Sequence, residues 1–203
     1  MSVDAVLFDL GNVLLGWEWT AAFDGSLTPQ DAARFVAEAD FQALNHRLDA
    51  GLPWDAAIAE LHARDPWLGR VLEEYRRRYP QALTGPVPGM AELVGELRAA
   101  GLRLVGLTNW SAEMYVHAVP AAPAIGLLDG VVVSGQEGVA KPDARIFAIA
   151  AQRYGLDPER TLFVDDSDPN VAAAAHLGFR ATLFTGAGAL RAELRRLGVD
   201  VRA

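Results

Sequence analysis

The sequence contains no cysteine, and it has a single lysine, Lys141, beside 17 arginines. The absence of cysteine excludes disulfide bonds, thiolate nucleophiles and zinc sites built on thiolates, so any metal must bind oxygen or histidine ligands. Basic residues are scarce as well, because 18 of them are outnumbered by 26 acidic residues, which leaves a net charge of −8. Nucleic-acid surfaces need clustered Lys and Arg, and the sequence therefore predicts no nucleic-acid partner.

Long hydrophobic runs are also absent. No uncharged stretch reaches the roughly 18 residues of a membrane span, and no basic segment followed by an apolar one opens the chain. These absences predict a cytoplasmic protein with no membrane partner. The 203 residues, of which 51% are hydrophobic, are enough for a full core.

Five short apolar runs predict the strands of a buried sheet. They are Val3 to Phe8, Leu102 to Leu107, Gly130 to Val133, Thr161 to Val164 and Ala181 to Phe184. Helical patterns separate the later runs, which predicts parallel strands joined by right-handed crossovers. The expected fold class is therefore α/β, with a doubly wound parallel sheet.

The connection between the first two predicted strands is far longer than the single helix that a crossover needs. Prolines typical of a first helical turn recur in it, at Pro29, Pro53 and Pro66. We predict a small inserted α-helical cap domain with hinges at Gly16 and at 84–89. The predicted boundaries are 1–15 and 87–203 for the α/β core domain and 16–86 for the cap.

Polar side chains directly follow three of the predicted strands: Asp9 the first, Thr108 and Asn109 the second, Asp165 and Asp166 the fourth. Ligands of open parallel sheets bind outside the carboxyl ends of the strands, so these side chains should meet at one edge. The three carboxylates repel one another unless a cation offsets them, and hard divalent ions prefer such oxygen ligands. The pattern therefore predicts a Mg²⁺ site.

Lys141 follows the third predicted strand and completes this set. A compact ammonium can contact a phosphoryl group and a carboxylate together, which favours a phosphate site. With Lys141 and the Thr108 hydroxyl on the phosphate oxygens, Asp9 would be free to attack phosphorus. Two simpler interpretations stay open. The single lysine can be a chance result of codon bias, and the Asp165-Asp166 pair is also typical of the first turn of a helix.

Four segments resemble the ordered motifs of the haloacid dehalogenase superfamily, whose core is Rossmann-like. They are Phe8 to Val13, Leu107-Thr108-Asn109, Lys141-Pro142 and Phe163 to Asn170. The resemblance covers nearly the whole chain and includes the helical insertion after the first motif. It implies the following roles: an aspartyl-phosphate on Asp9, phosphate binding by Thr108, Asn109 and Lys141, and magnesium ligands from Asp9, Asp166, the carbonyl of Gly11 and, directly or through water, Asp165.

Gly11 departs from the pattern of most phosphatases in this superfamily, which carry there an Asp that protonates the leaving oxygen. Such acid-base help contributes roughly two to four powers of ten in rate. An ordered water, a donor from the cap, or a leaving group that needs little protonation would each compensate. The first motif resembles that of bacterial sugar-phosphate phosphatases, so we expect magnesium-dependent hydrolysis of a small phosphate ester.

Two alternatives remain. A 2-haloacid dehalogenase would use Asp9 against carbon and would also lack an acid at position 11, but such enzymes need no metal and usually lack the acidic pair. A catalytically weak phosphate-binding protein is the alternative outside enzymes. The sequence does not choose between a monomer and a homodimer.

The cap is expected to carry substrate specificity, because it would close over the phosphate-binding edge. The candidates are Trp17, Glu18, Trp19, Asn45, His46, Arg47 and, in the core, Trp110. Each also has a simpler interpretation, since tryptophans often serve packing and a lone histidine is often a surface residue.

Overall fold

A computed structural model describes residues 3–202, which form an α/β sandwich with a helical insertion. The strands are β1 (Ala5–Phe8), β2 (Leu15–Trp17), β3 (Leu83–Pro86), β4 (Arg103–Thr108), β5 (Gly130–Val133), β6 (Thr161–Asp165) and β7 (Arg180–Leu183). The helices are α1 (Pro29–Ala39), α2 (Phe41–Asp49), α3 (Trp54–Arg64), α4 (Pro66–Arg77), α5 (Met90–Ala99), α6 (Ala118–Ala121), α7 (Ser134–Glu137), α8 (Ala144–Tyr154), α9 (Asp168–His176) and α10 (Ala187–Arg196).

Five parallel strands form the main sheet in the order β5-β4-β1-β6-β7, which confirms the predicted doubly wound α/β fold. The central strand β1 pairs with β4 and β6, and all four of its residues are buried. Burial on both faces explains why its sequence is a continuous apolar run rather than an alternating one. Its carboxyl end therefore opens at the middle of the sheet edge, where the strand order reverses.

Successive side chains of the sheet point to opposite faces and belong to two separate hydrophobic clusters. Val6 and Phe8 pack with α5 and α10, while Ala5 and Leu7 pack with α8. The first cluster continues into the insertion, where it includes residues of α1 to α4. A continuous buried apolar surface thus joins the insertion to the main sheet.

The insertion contains four helices where the prolines predicted three. The starts at Pro29 and Pro66 agree with the prediction, and Thr28 caps α1 by accepting a hydrogen bond of 3.1 Å from the Asp31 N–H. Helix α2 was not predicted, because one residue, Asp40, separates it from α1. Asp40 adopts φ 49°, a left-handed conformation that ends one helix and allows the next to begin at once.

The segments predicted as simple hinges form an antiparallel ribbon, in which β2 pairs with β3. The division of the chain at 16 and 86 stays a prediction, although both strands of the ribbon lie next to those positions. Within residues 3–202, none of the helices has the length and apolar character needed to cross a bilayer.

Hydrogen bonds also join the insertion to the loop after β4. The indole N–H of Trp54 donates to Ser111 Oγ at 2.8 Å, and its backbone N–H donates to Glu113 at 2.9 Å. Arg76 binds the same Glu113 carboxylate at 2.7 Å. These contacts fix the insertion above the carboxyl edge of the sheet.

Candidate active site

Asp9 lies immediately beyond β1, at the carboxyl edge of the sheet. Its backbone N–H donates to the Val164 carbonyl at 2.8 Å, and its side chain accepts a 2.7 Å hydrogen bond from the Leu10 N–H. The residue is 8% exposed, so one carboxylate is held in a fixed orientation with limited contact with water.

Lys141 lies between two carboxylates in the interior. Its Nζ is 3.0 Å from Asp9 Oδ1 and 2.6 Å from Asp165 Oδ2, and the residue is 1% exposed. Burial by itself lowers the pKa of Lys141, but the two neighbouring carboxylates outweigh burial and raise its pKa overall. The ammonium is therefore charged at neutral pH.

Asp165 and Asp166 differ in their surroundings although they are adjacent. Asp165 is fully buried and binds Lys141, the Ser167 N–H at 2.9 Å and Asn170 Nδ2 at 3.1 Å. Asp166 is exposed and accepts a 3.2 Å hydrogen bond from the side chain of Asn12. The lone pairs of Asp165 are thus largely occupied by protein donors, whereas Asp166 keeps oxygen positions free for a ligand.

The donor set fits a hard divalent cation. Carboxylate oxygens of Asp9, Asp165 and Asp166 lie within 4.8 Å of one another. Three carboxylates share one ammonium, so the group has an excess of two negative charges when all are ionised. Oxygen ligands and uncompensated negative charge are the features that Mg²⁺ requires of a protein site.

Burial raises the pKa of Asp9 to about 7, although the Lys141 ammonium acts in the opposite direction. The nearby Asp165 carboxylate adds to the increase. A cation bound beside Asp9 would favour its ionised form, because an opposite charge stabilises a carboxylate. The metal-ligand and nucleophile roles of Asp9 are therefore compatible with each other.

The residues predicted to bind phosphate lie at the same edge. Thr108 is the last residue of β4 and is buried beside the central strand. The Asn109 side chain donates to the Lys141 carbonyl at 3.0 Å and accepts from the Lys141 N–H at 2.8 Å. Asn109 therefore fixes the backbone of Lys141, and its predicted contact with phosphate stays a prediction.

A small cavity of about 100 Å³ opens beside these groups, between the insertion and the core. Its lining consists of Gly11, Leu15, Trp17, Asn45, Asp49, Tyr79, Asn109 and Trp110. The indole N–H groups of Trp17 and Trp110 are buried and have no hydrogen-bond partner among the described residues. A ligand in the cavity would reach these donors only if the surrounding side chains moved.

The cavity separates the cap candidates into two groups. Trp17, Asn45 and Trp110 contribute to its lining, whereas Glu18, Trp19, His46 and Arg47 do not. Trp19 instead packs on aromatic rings of the cap, and Arg47 pairs with Glu60 at 2.7 Å on the surface. The periodicity of α2 explains the difference, since Asn45 and Asp49 share one helix face while His46 and Arg47 turn towards solvent.

Sequence reasoning did not select Asp49 or Tyr79. The signal that would have identified Asp49 is its spacing of four residues from Asn45, but this spacing has meaning only once α2 is known to be a helix. Tyr79 follows α4 in a short 3₁₀ segment and offered no comparable pattern.

Comparison with known proteins agrees with this geometry. Residues 3–178 match the sequence model of the haloacid dehalogenase-like hydrolases. Phosphatase MT3486 of Mycobacterium tuberculosis is 29% identical over 94% of this chain and 91% of its own length. (S)-2-haloacid dehalogenase 4A of Burkholderia cepacia is 28% identical over 70% of this chain and 57% of its own length.

A solved structure shows the same fold. It is a haloacid dehalogenase family enzyme of Bacteroides thetaiotaomicron in complex with magnesium and inorganic phosphate, with a TM-score of 0.71 and 18% identity over 91% of this chain and 95% of that one. The match of the family model over most of the chain, together with the ordered motifs and the fold, shows that this protein belongs to the haloacid dehalogenase-like hydrolases.

Proposed function

We propose that this hydrolase is a magnesium-dependent phosphatase that hydrolyses a small phosphate ester through an aspartyl-phosphate on Asp9. The observation that carries the proposal is the cluster of Asp9, Asp165 and Asp166, of which only the first two contact an ammonium, that of Lys141. A site for a haloacid needs no metal, and the excess of negative charge would be costly to bury without a cation.

Each residue of the site has a separate task in this reaction. The Asp9 carboxylate attacks phosphorus, and Lys141 together with the Thr108 hydroxyl binds phosphoryl oxygens and stabilises charge in the transition state. Asp165 and Asn109 hold Lys141 in place. Bound Mg²⁺, held by Asp9, Asp166 and the carbonyl of Gly11, would neutralise negative charge on the phosphoryl group.

We also propose a sugar phosphate as the substrate class. The cavity is small, its walls include the aromatic side chains of Trp17, Tyr79 and Trp110, and Asn45 offers hydrogen bonds. Aromatic faces with a few polar groups suit a polyhydroxylated leaving group. We further propose that the enzyme is cytoplasmic and acts as a monomer or a homodimer.

A 2-haloacid dehalogenase is the second candidate. It is favoured by the absence of a carboxylate at Gly11 and by the similarity to a named haloacid dehalogenase. A phosphate-binding protein with little catalysis is the third candidate, because Gly11 supplies no carboxylate for acid-base catalysis.

One panel separates the three candidates. We expect p-nitrophenyl phosphate and sugar phosphates to be hydrolysed with added Mg²⁺ and not with excess chelator, and 2-haloacids to release no halide. Chelator-resistant halide release would support the dehalogenase. Equilibrium binding of inorganic phosphate without turnover of any ester would support the binding protein.

A further inference from the structure

Asp49 is a half-buried acid of the cap that faces the candidate active site. It is the last residue of α2 and lines the small cavity together with Gly11, which itself lies two residues beyond Asp9. Among residues 3–202, no other acidic side chain contributes to this lining. The cavity therefore has one carboxyl group, and that group comes from the cap.

Asp49 is held from both sides of the cavity. Within the cap, Asn45 Nδ2 donates to Asp49 Oδ2 at 2.9 Å. From the core, the hydroxyl of Ser134 donates to the backbone carbonyl of Asp49. A residue held from both parts of the molecule in this way is preorganised only when the cap is closed.

The surroundings of Asp49 leave both its neutral and its ionised form populated near neutral pH. Burial raises the pKa of Asp49 to about 7, and the negative charge of Asp9 adds to the increase. The backbone N–H of Ser111 and the Lys141 ammonium oppose it. A carboxyl group with this pKa can both donate and accept a proton at neutral pH.

The remaining groups that face Asp49 are two phenols. Tyr75 and Tyr79 are buried, and burial raises the pKa of each above its ordinary value. Both phenols are therefore uncharged near neutral pH, which leaves Asp49 as the group of the cavity that exchanges a proton there.

We infer that Asp49 supplies the acid-base function that Gly11 lacks, a role that rests on the phosphatase function proposed above. In the first step Asp9 bonds to phosphorus, the bond from phosphorus to the leaving oxygen breaks, and that oxygen takes the Asp49 proton. In the second step the Asp49 carboxylate takes a proton from water, whose oxygen bonds to phosphorus as the bond to Asp9 breaks. Phosphate leaves, and both carboxyl groups return to their starting states.

The structure around position 11 has room for a side chain, although the chain carries glycine there. A Cβ atom added to Gly11 would meet no atom within 4 Å, and the residue does not have a positive φ. The backbone therefore does not require glycine, and a carboxyl group there would enter the same cavity as Asp49. This allows the proposed function of Asp49 to be moved experimentally from the cap to the core.

The test compares Asp49→Asn with Asp40→Asn. Asp40 is an exposed acid of the same cap with no side-chain cap hydrogen bond, and Asn tolerates its left-handed conformation. On phenyl phosphate, whose leaving oxygen needs a proton, we expect Asp49→Asn to lose roughly 100-fold or more in kcat. Asp40→Asn should retain the wild-type rate.

Dinitrophenyl phosphate distinguishes proton transfer from a merely structural role. Its leaving oxygen needs no proton, so Asp49→Asn should release one equivalent of dinitrophenol in a rapid burst and then turn over slowly. The fall in kcat/KM for phenyl phosphate above about pH 7, expected from the Asp49 pKa, should disappear in this variant. Equal losses on both substrates without a burst would overturn the proposal.

The double variant Asp49→Asn with Gly11→Asp provides a rescue. We expect it to recover part of the phenyl phosphate activity, whereas Asp49→Asn with Gly11→Ala should not. Recovery by alanine would contradict the proposal, since it would show that acid-base chemistry is not what was lost. If the wild-type protein hydrolyses neither ester, the phosphatase function itself fails, and this outcome differs from an active enzyme that does not respond to Asp49→Asn.

Discussion

A buried ammonium and the carboxylates that contact it stabilise the fold only as a group, because each charge compensates the other. Lys141 is almost completely buried, and its Nζ contacts Asp9 and Asp165. Removal of one partner from such a group leaves charge in the interior without compensation. The residue therefore supports the fold as well as the proposed chemistry.

Lys141→Met should lower the free energy of unfolding by about 3–5 kcal/mol, because two carboxylates then lose their cation. Urea denaturation in the presence of chelator measures the change without interference from metal. The double variant with Asp165→Asn is the control, and it should be more stable than Lys141→Met alone because one unpaired charge is gone. Wild-type stability of Lys141→Met would show that the buried pair is not ionised.

Asp9→Asn should abolish phosphate release while the melting temperature stays close to that of the wild type. Asn has the same shape, and its Oδ1 can still accept the Leu10 N–H, but an amide is not a nucleophile. Progress curves of phosphate release measure the turnover. Thermal unfolding followed by circular dichroism on the same samples measures the melting temperature. Substantial turnover by the variant would exclude the covalent mechanism.

The sequence was sufficient to predict the residues at strand ends. Asp9, Thr108 and Asp165 follow apolar runs directly, and parallel pairing brings such ends to one edge. Asp49 could not be found in this way, because its approach to the site depends on how α2 packs against the core. That packing is a tertiary property with no local signal in the sequence.

At the scale of elements, the end of helix α2 is hydrogen-bonded to the core by the hydroxyl of Ser134. Ser134 is fully buried, donates to the carbonyl of Asp49 and accepts a 2.9 Å hydrogen bond from the Trp110 N–H. Both partners line the cavity. The hydroxyl therefore sets the distance between the end of α2 and the loop after β4.

Ser134→Ala should lower the free energy of unfolding by about 1–3 kcal/mol, since two buried backbone groups lose their partner. It should also lower kcat on phenyl phosphate, because Asp49 is no longer held in position. Ser26→Ala removes an exposed hydroxyl of the cap and should change neither quantity. Unchanged stability of Ser134→Ala would mean that water replaces the hydroxyl.

The elements that were predicted correctly have strong local signals. Four strands of the main sheet coincide with apolar runs, while β7 is half-exposed and includes Arg180 and Thr182. Helices α1 and α4 begin with proline after a capping residue. The ribbon of β2 and β3 was missed because its strands are short and contain glycine and proline, which are poor strand formers. Their pairing becomes favourable only after the insertion brings the two segments together.

At the scale of the whole molecule, the end of the chain is joined to the sheet domain through Glu96. Its carboxylate forms a two-bond pair with Arg191 at 2.7 and 3.0 Å and accepts a 3.0 Å hydrogen bond from the Arg202 N–H. The Arg191 guanidinium is the main cause that lowers the pKa of Glu96 to about 2. The interaction is therefore retained over the whole neutral and mildly acidic range.

Glu96→Gln should be less stable than the wild type at pH 7, and the difference should disappear on acidification. A lowered folded-state pKa stabilises the fold above the unfolded value of 4.5, and this contribution is lost as the pH falls from 4.5 towards 2. Urea denaturation at several pH values measures the trend. Asp200 is an exposed acid near the same terminus, and Asp200→Asn is the control. This variant should not change the pH dependence of stability. A constant difference across this range would contradict the assignment.

One hydrophobic cluster runs without a break from the main sheet into the cap. Separation of the two parts would transfer apolar surface to water at a cost of about 25 cal/mol per Å². Closed molecules are therefore expected to predominate at equilibrium, so that the cap and the main sheet unfold as one cooperative unit.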